Sequence, residues 1–362
     1  MTGIARYAVE LTRALAKLDS AQEIILLNPY PESKHPWYRE FPTYPLPHLK
    51  KLPLAATLGN LELHRAATRL GLDILHDPCG IAPFLAPRGN YRRVTTIHDA
   101  LPAVYPELQQ LLTRLVFATL VKRAGRSSDA IFTVSRASAA DLVKFYNFPA
   151  AVVHVTPNGV HQPDPLPAEE VRKILDRLGV RPPFLLSVGA LHPRKNIRRI
   201  IEAFTALRAS HPGVTLVIAG PPSWGKNDEL RAVLGAARGN GGVIFTGFVG
   251  DGDLAALYQA THGLVFPALY EGFGLPVLEA MSHGAPVLTS NVSSLPEVAG
   301  DAALLVDSAS VEAIGWGMRR LLEDEVLRAE LSRKGRARSR EFSWAATATA
   351  TLEIYRRLMA GA

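Results

Sequence analysis

The chain is nearly free of cysteine: Cys79 is alone among 362 residues. That excludes an internal disulfide and leaves too few thiolates for a cysteine zinc site, so a reducing cytoplasm is the expected setting. Long apolar runs are missing as well. None approaches the ~20 residues of a membrane span, and no signal-peptide pattern is present. The Gly-x-Gly-x-x-Gly fingerprint is absent, which disfavours a nicotinamide enzyme. Helix-turn-helix, zinc-finger and aromatic RNA-binding signatures are also absent, which argues against a nucleic-acid reader.

Two stretches imitate motifs that the sequence otherwise lacks. Gly220-Pro-Pro-Ser-Trp-Gly-Lys226 follows an apolar strand and has most of a phosphate-binding loop. Asn227, however, stands where Ser or Thr must hold magnesium, and Pro221-Pro222 remove two amides that the loop needs. Asp251-Gly-Asp253 fits an Asp-x-Asp metal signature, yet it runs directly into Leu254-Ala-Ala-Leu-Tyr258. Asp251 or Asp253 is therefore expected to be a helix N-cap, and no metal is expected.

What is present describes a globular protein, with 48% hydrophobic and 20% charged residues and a length suited to two domains. The net charge of +7 is uneven. Residues 1–150 hold 18 Lys/Arg against 12 Asp/Glu, a surplus of +6, and the other 22 against 21 give +1. A basic first half points to an anionic acceptor or membrane surface, against the plainer reading of a solvated basic face.

Along the chain, strands and helices alternate, which predicts parallel sheets with helices on both faces. Gly3 to Leu18 reads as an amphipathic helix with Ile4, Ala8, Leu11, Leu15 and Leu18 on one face. A strand at 23–27 and a proline- and aromatic-rich irregular loop at 28–54 follow, then helix 58–70 and strands 73–76 and 93–97. Helix 107–124, strand 130–134, helix 136–146 and strand 151–155 close the first domain, 1–160. Residues 161–167 read as a linker. The second domain, 168–343, is expected to hold strands 184–188, 214–219, 243–247, 263–266, 286–289 and 303–306. Its expected helices are 196–210, 228–238, 253–261, 276–283, 311–323 and 325–337, with a last helix at about 344–359.

The most informative stretch is Glu271-Gly-Phe-Gly-Leu-Pro-Val-Leu-Glu279. Gly263 to Phe266 before it reads as a buried strand, and Pro276 to His283 after it as a helix with Pro276 at the first position. Glu271 is then on the connecting loop and Glu279 one turn into the helix. The amides of Gly272, Phe273, Gly274 and Leu275, with the positive helix end, make an anion site. Two carboxylates beside such a site suit a sugar nucleotide, whose hydroxyls need acceptors while its diphosphate needs amides and cations. Arg194 and Lys195, after the strand 184–188, supply adjacent cations of the kind a diphosphate leaving group requires.

Glu271-x7-Glu279, Gly189-Ala-Leu-His-Pro-Arg-Lys-Asn196, Gly3-Ile-x-Arg-Tyr7, His98-Asp99, Val134-Ser135 and Pro157-Asn-Gly-Val160, in this order, resemble the retaining glycosyltransferase family 4. The resemblance covers nearly the whole chain. It implies the GT-B fold: two Rossmann-like domains facing across a cleft, with the last helix crossing back to the first domain. It implies that Arg194 and Lys195 hold the donor phosphates, that Glu279 binds the nucleotide ribose, and that Glu271 faces the anomeric carbon. It further implies a contact of His98 with the transferred sugar and the neighbouring phosphate, an acceptor-side or orienting role for Asp99, and a diphosphate contact for Gly3. Gly3-Ile-x-Arg-Tyr7 and His98-Asp99 are most similar to bacterial mannosyltransferases of polysaccharide or lipopolysaccharide synthesis, so GDP-mannose is the expected co-substrate and a glycan or lipid-linked molecule the expected acceptor. His76-Asp77-Pro78 is expected to be structural. In the family a strand and a glycine-rich turn precede the first helix. Only Thr2-Gly3 stand there in this chain, so an N-terminal sheet short of one central strand is expected, and with it lower stability and activity. The rival readings are a UDP-sugar epimerase of the same fold and a non-catalytic glycan-binding protein.

Overall fold

A computed structural model describes residues 3–18, 23–50, 59–82, 84, 88–108, 111–221, 235 and 242–361. The chain forms two compact units, one of Met1–Gly159 with Ser343–Ala362 and one of Val160–Phe342. The first carries α1 (Gly3–Leu18), β1 (Leu26–Asn28), β2 (Thr43–Pro45), α2 (Gly59–Arg69), β3 (Ile74–Asp77) and β4 (Arg92–Thr96). It continues with α3 (Leu101–Val104), α4 (Leu111–Ser127), β5 (Ala130–Thr133), α5 (Arg136–Tyr146) and β6 (Val153–Val155). The second holds α6 (Ala168–Leu178), β7 (Phe184–Val188), α7 (Ile197–Arg208), β8 (Thr215–Ala219), β9 (Val243–Gly247), α8 (Asp251–Ala260) and β10 (Gly263–Phe266). After these come α9 (Leu275–Ser282), β11 (Val287–Ser290), α10 (Leu295–Ala299), β12 (Leu304–Val306), α11 (Val311–Glu323) and α12 (Glu325–Ser339), and α13 (Trp344–Ala360) returns to the first unit.

Every strand pairing among the described residues is parallel. The first unit has a two-stranded sheet, β1-β2, and a four-stranded one, β3-β4-β5-β6; the second has a six-stranded sheet of order β12-β11-β10-β7-β8-β9. The sequence reason is visible in β7 (Phe-Leu-Leu-Ser-Val), β10 (Gly-Leu-Val-Phe) and β11 (Val-Leu-Thr-Ser). Their residues are buried almost throughout, as strands covered by helices on both faces must be. The core of the second unit gathers Leu185, Leu216, Val265 and Leu288 from the sheet with Ile200, Phe204, Ile314 and Met318 from α7 and α11.

The first unit completes its core with the last helix. Ser343 caps α13 by accepting the amide of Ala346, and Ile354 packs against Val94, Ala130 and Phe132. Thr347 Oγ1 donates to the carbonyl of Pro157 at 2.6 Å.

Several expectations need correction. The buried face of α1 is Tyr7, Val9, Leu11, Ala14 and Leu15, whereas Ile4 and Leu18 are exposed. The stretch 28–54 is not all irregular: Thr43–Pro45 is a strand. Residues 168–178 form a helix that starts directly after Pro167. Gly250 is the cap residue of α8, so Asp251 and Asp253 lie in its first turn, with Asp253 bridging Arg177 at 2.5 Å. The expected helix 228–238, residue 235 apart, and residues 222–227 of the phosphate-loop look-alike lie outside the described residues, as do Met1 and Thr2.

Candidate active site

Parallel strands deliver their following loops to one edge, and ligands in such sheets bind beyond the carboxyl ends. Strands β7 and β10 are neighbours, with Gly263 opposite Leu185. Their loops, 189–196 and 267–274, are therefore neighbours too. They are sewn together by Leu269 N–H donating to the carbonyl of Arg194 at 2.8 Å and by Asn196 Nδ2 donating to the carbonyl of Pro267 at 2.9 Å. Asn196 adopts the left-handed conformation, which turns the chain from the cation pair into α7.

Topology thus brings Arg194 and Lys195 to Glu271. Arg194 Nη1 lies 2.5 Å and Lys195 Nζ 2.7 Å from the same oxygen, Oε1 of Glu271. Arg194 also donates to the carbonyl of Tyr270, and Lys195 Nζ stands 4.4 Å from the centre of the Phe266 ring. The three side chains carry one net positive charge. Burial, only partly opposed by Glu271, brings the Lys195 ammonium down to about 8. Burial would by itself raise the Glu271 carboxyl, but the charges of Arg194 and Lys195 outweigh it and hold that group at about 2. Both stay charged at neutral pH. Glu271 is therefore an ion-paired carboxylate in this arrangement, not one standing alone in front of a substrate.

Glu271 is also fixed through its backbone, by residues that sequence reasoning missed. Its N–H donates to Ser293 Oγ at 3.1 Å, and its carbonyl accepts from Ser294 Oγ at 2.9 Å; the same Ser294 hydroxyl reaches the carbonyl of Phe273 at 2.8 Å. Ser293 has φ +54°, unusual for a residue other than glycine and typical of strain held at functional sites. The only signal in sequence is a Ser-Ser pair after a strand, which by itself names no chemistry.

The glycine loop ends at Gly274, the cap residue of α9, and Leu275 opens the helix; Pro276 is its second residue, not its first. Gly274 has φ +106°, a conformation that favours glycine, and a Cβ there would lie 2.7 Å from Leu295 Cδ2, so that methyl would have to shift. Glu279, on α9, accepts from the hydroxyl of Tyr258 at 3.2 Å, and its charge reaches Lys195. Arg194, Lys195, Glu271, Gly272, Phe273, Gly274, Leu275 and Glu279 all belong to the second unit. Among the described residues no group of three His, Cys, Asp or Glu side chains is placed to hold a metal ion.

Gly3, His98 and Asp99 belong to the first unit. Gly3 opens α1 and is exposed. His98 follows β4, its ring edge-on to Tyr7 at 4.9 Å and its Nε2 2.9 Å from the carbonyl of Pro78. Asp99 Oδ1 accepts the amide of Leu101 at 3.0 Å, which anchors the start of α3. His76 is tied on both nitrogens, to Tyr355 Oη at 2.5 Å and to Thr96 Oγ1 at 2.7 Å, and burial brings it down to about 3. It therefore joins β3, β4 and α13 as a neutral structural group.

Comparison with known proteins adds independent findings. A family model described as Glycosyltransferase Family 4 matches residues 1–164, and one described as Glycosyl transferases group 1 matches residues 172–338. The chain is 32% identical over 374 residues to O-antigen chain mannosyltransferase B of Escherichia coli, covering 99% of this chain and 97% of that protein. It is 33% identical over 278 residues to a serotype-specific mannosyltransferase, WbdA, of Escherichia coli, covering 74% of this chain but only 34% of that longer protein. Among solved structures, sucrose-phosphate synthase from Thermosynechococcus elongatus superposes with a TM-score of 0.80 at 23% identity. The match covers 100% of this chain and 94% of that one, which shows a shared fold. No helix among the described residues is long and apolar enough to cross a membrane.

Proposed function

This chain belongs to glycosyltransferase family 4 and is a glycosyltransferase of GT-B fold, and from that premise we propose that it moves mannose from GDP-mannose to a glycan or lipid-linked acceptor. The observation that carries the proposal is the convergence of Arg194 and Lys195 on Glu271, beside the loop that opens α9. Two cations at one strand edge suit a diphosphate whose negative charge grows as the glycosidic bond breaks. They take the neutralising part that a metal ion would otherwise play, so the reaction is read as metal-independent. Glu279 suits the ribose hydroxyls as a two-oxygen acceptor. The mannosyltransferase relatives support mannose as the sugar, and GDP as its carrier belongs to the same proposal. Retention of configuration, a sugar contact for His98, a diphosphate contact for Gly3 and an acceptor-side role for Asp99 are parts of the same reading. The surplus of +6 in residues 1–150 supports an anionic acceptor or a lipid surface.

Saturation-transfer NMR against GDP-mannose, UDP-glucose, UDP-galactose and free mannose, with and without EDTA, tests the donor. Mass spectrometry of products formed with mannose-terminated oligosaccharides then tests transfer. Binding of GDP-mannose in EDTA followed by a gain of one hexose on the acceptor is the expected result. Preference for a UDP-sugar overturns the donor assignment. Conversion of the donor sugar without acceptor would mark an epimerase, and donor binding with no product under any acceptor a binding protein.

A further inference from the structure

The pair His76-Asp77 ends β3 in the same style as His98-Asp99 follows β4, and Asp77 has no part in the reading above. Its carboxylate is nevertheless fully engaged. Oδ1 accepts the amide of Cys79 at 2.9 Å, and Oδ2 accepts those of Ile81 and Ala82 at 2.8 and 2.7 Å and the hydroxyl of Thr95 at 3.4 Å. Three amides converging on one carboxylate make a rigid turn of Pro78 to Ala82. Gly80 seats that turn on the neighbouring strand. At φ +73° a Cβ there would lie 2.9 Å from the carbonyl oxygen of Thr96 and 3.3 Å from Ile97 Cα, so only glycine allows this approach.

The turn points one group at His98: the carbonyl of Pro78, 2.9 Å from Nε2. A carbonyl only accepts, so Nε2 must carry hydrogen, and a neutral imidazole then has a bare Nδ1. Burial lowers the pKa of His98, in keeping with a neutral ring at pH 7. Nδ1 has no hydrogen-bond partner among the described residues, and the side chain is only half-buried. The edge-on contact with Tyr7, whose hydroxyl is tied to Thr96 at 3.0 Å, holds the ring plane. We propose that Asp77 is a positioning residue that builds the Pro78 turn, that this turn fixes His98 as the Nε2–H tautomer, and that His98 therefore offers Nδ1 as an acceptor for a sugar hydroxyl. A bare nitrogen lone pair repels phosphate oxygens, so His98 is not a phosphate ligand. The hydroxyl contact rests on the glycosyl-transfer reading; the tautomer and its cause do not.

The test is a two-bond 1H–15N correlation spectrum of histidine-labelled protein, assigned with His98→Gln. In the free protein at pH 7 the expected pattern is protonated Nε2 and bare Nδ1; a protonated Nδ1 overturns the proposal. Asp77→Asn puts an amide among three amide donors and is expected to mix the tautomers at His98 while leaving His76 unchanged. An unchanged His98 pattern removes Asp77 from the role. If that variant fails to fold, Gly80→Ala, which forces the turn off Thr96, is read in the same way. Addition of GDP-mannose, but not of GDP, should shift Nδ1 as it accepts a hydrogen bond, and a shift of equal size with GDP overturns the hydroxyl contact. Should neither nucleotide bind, the donor reading fails while the free-protein spectrum still decides the tautomer. In turnover, His98→Asn, whose Oδ1 falls near Nδ1, is expected to keep about tenfold more kcat than His98→Gln, the worth of one hydrogen bond. The reverse order overturns the assignment.

Discussion

Lys195 illustrates how one residue can carry both the cost and the use of a binding site. Its ammonium is buried, which disfavours the charge, and Glu271, Glu279 and the Phe266 ring offset only part of that cost. An arriving diphosphate supplies the missing counter-charge and stabilises the protonated form. Because the free-protein pKa is about 8, affinity for GDP should be full below that pH and decline as pH rises through it, with proton uptake on binding. Calorimetry between pH 6.5 and 9.5 reads this, and Lys195→Arg, which does not lose its proton, should flatten the profile. Arg194→Ala should weaken GDP binding by roughly 1.5–3 kcal/mol, the range for a hydrogen bond to a charged group. Affinity that vanishes in EDTA would contradict the metal-independent reading. Glu271 has the opposite sign. Its pKa is depressed from 4.5 to about 2, so its stabilisation is complete above the unfolded value and is lost as pH falls toward 2. Acid unfolding of Glu271→Gln should consequently be less steep between pH 4.5 and 2. In kinetics, Glu271→Gln should lower kcat with modest change in donor KM, and Glu279→Gln should raise donor KM; the reverse pattern would exchange their roles.

At the scale of elements, what matters is how loops are locked. Gly274 is the hinge between the glutamate loop and α9, and it faces Leu295 on α10. Gly274→Ala combines a left-handed penalty with a steric one, costs of about 1–3 kcal/mol for the backbone alone. It should lower Tm and weaken GDP binding together, since the loop and the helix start move as one. A variant that binds GDP normally would show that this loop takes no part in donor binding. The same scale explains what the sequence allowed and what it hid. Strands β7, β9 and β10 were legible to the residue, because an apolar run bounded by turn residues has one solution in a parallel sheet. Helix α6 was hidden by Pro163, Pro165 and Pro167, which read as a linker up to the helix's first residue. Glu169 and Glu170 in the first turn, Val171 and Leu175 buried, and Gly179 at the left-handed end were its available signals. Strand β2 was hidden by prolines on an edge pairing of three residues. In the candidate site, Arg194, Lys195 and Glu271 could be named from type and spacing. The Ser293-Ser294 clamp could not, because it exists only where β10 and β11 end side by side.

For the whole molecule, the division of labour between the units follows from which residues each contains. Arg194, Lys195, Glu271 and Glu279 all lie within Val160–Phe342, a unit with its own six-stranded sheet and its own hydrophobic core. The first unit is discontinuous: α13, added after the second unit is complete, brings Ile354, Tyr355 and Leu358 onto Val94, Ala130 and Phe132 and binds His76. Two different truncations follow from that asymmetry. Residues 160–342 expressed alone should unfold cooperatively and bind GDP with an affinity within about tenfold of the full chain, since of the proposed diphosphate contacts that fragment lacks Gly3 but keeps Arg194, Lys195 and the glycine loop. It should transfer no sugar. Deleting residues 343–362 from the full chain should instead expose the Val94–Phe132 face and leave His76 without Tyr355, so the first unit should melt early while GDP binding persists. Calorimetric unfolding and GDP titration of both proteins test the pair of outcomes. Loss of GDP binding by a folded 160–342 fragment would mean that the first unit supplies donor contacts worth more than those of Arg194 and Lys195.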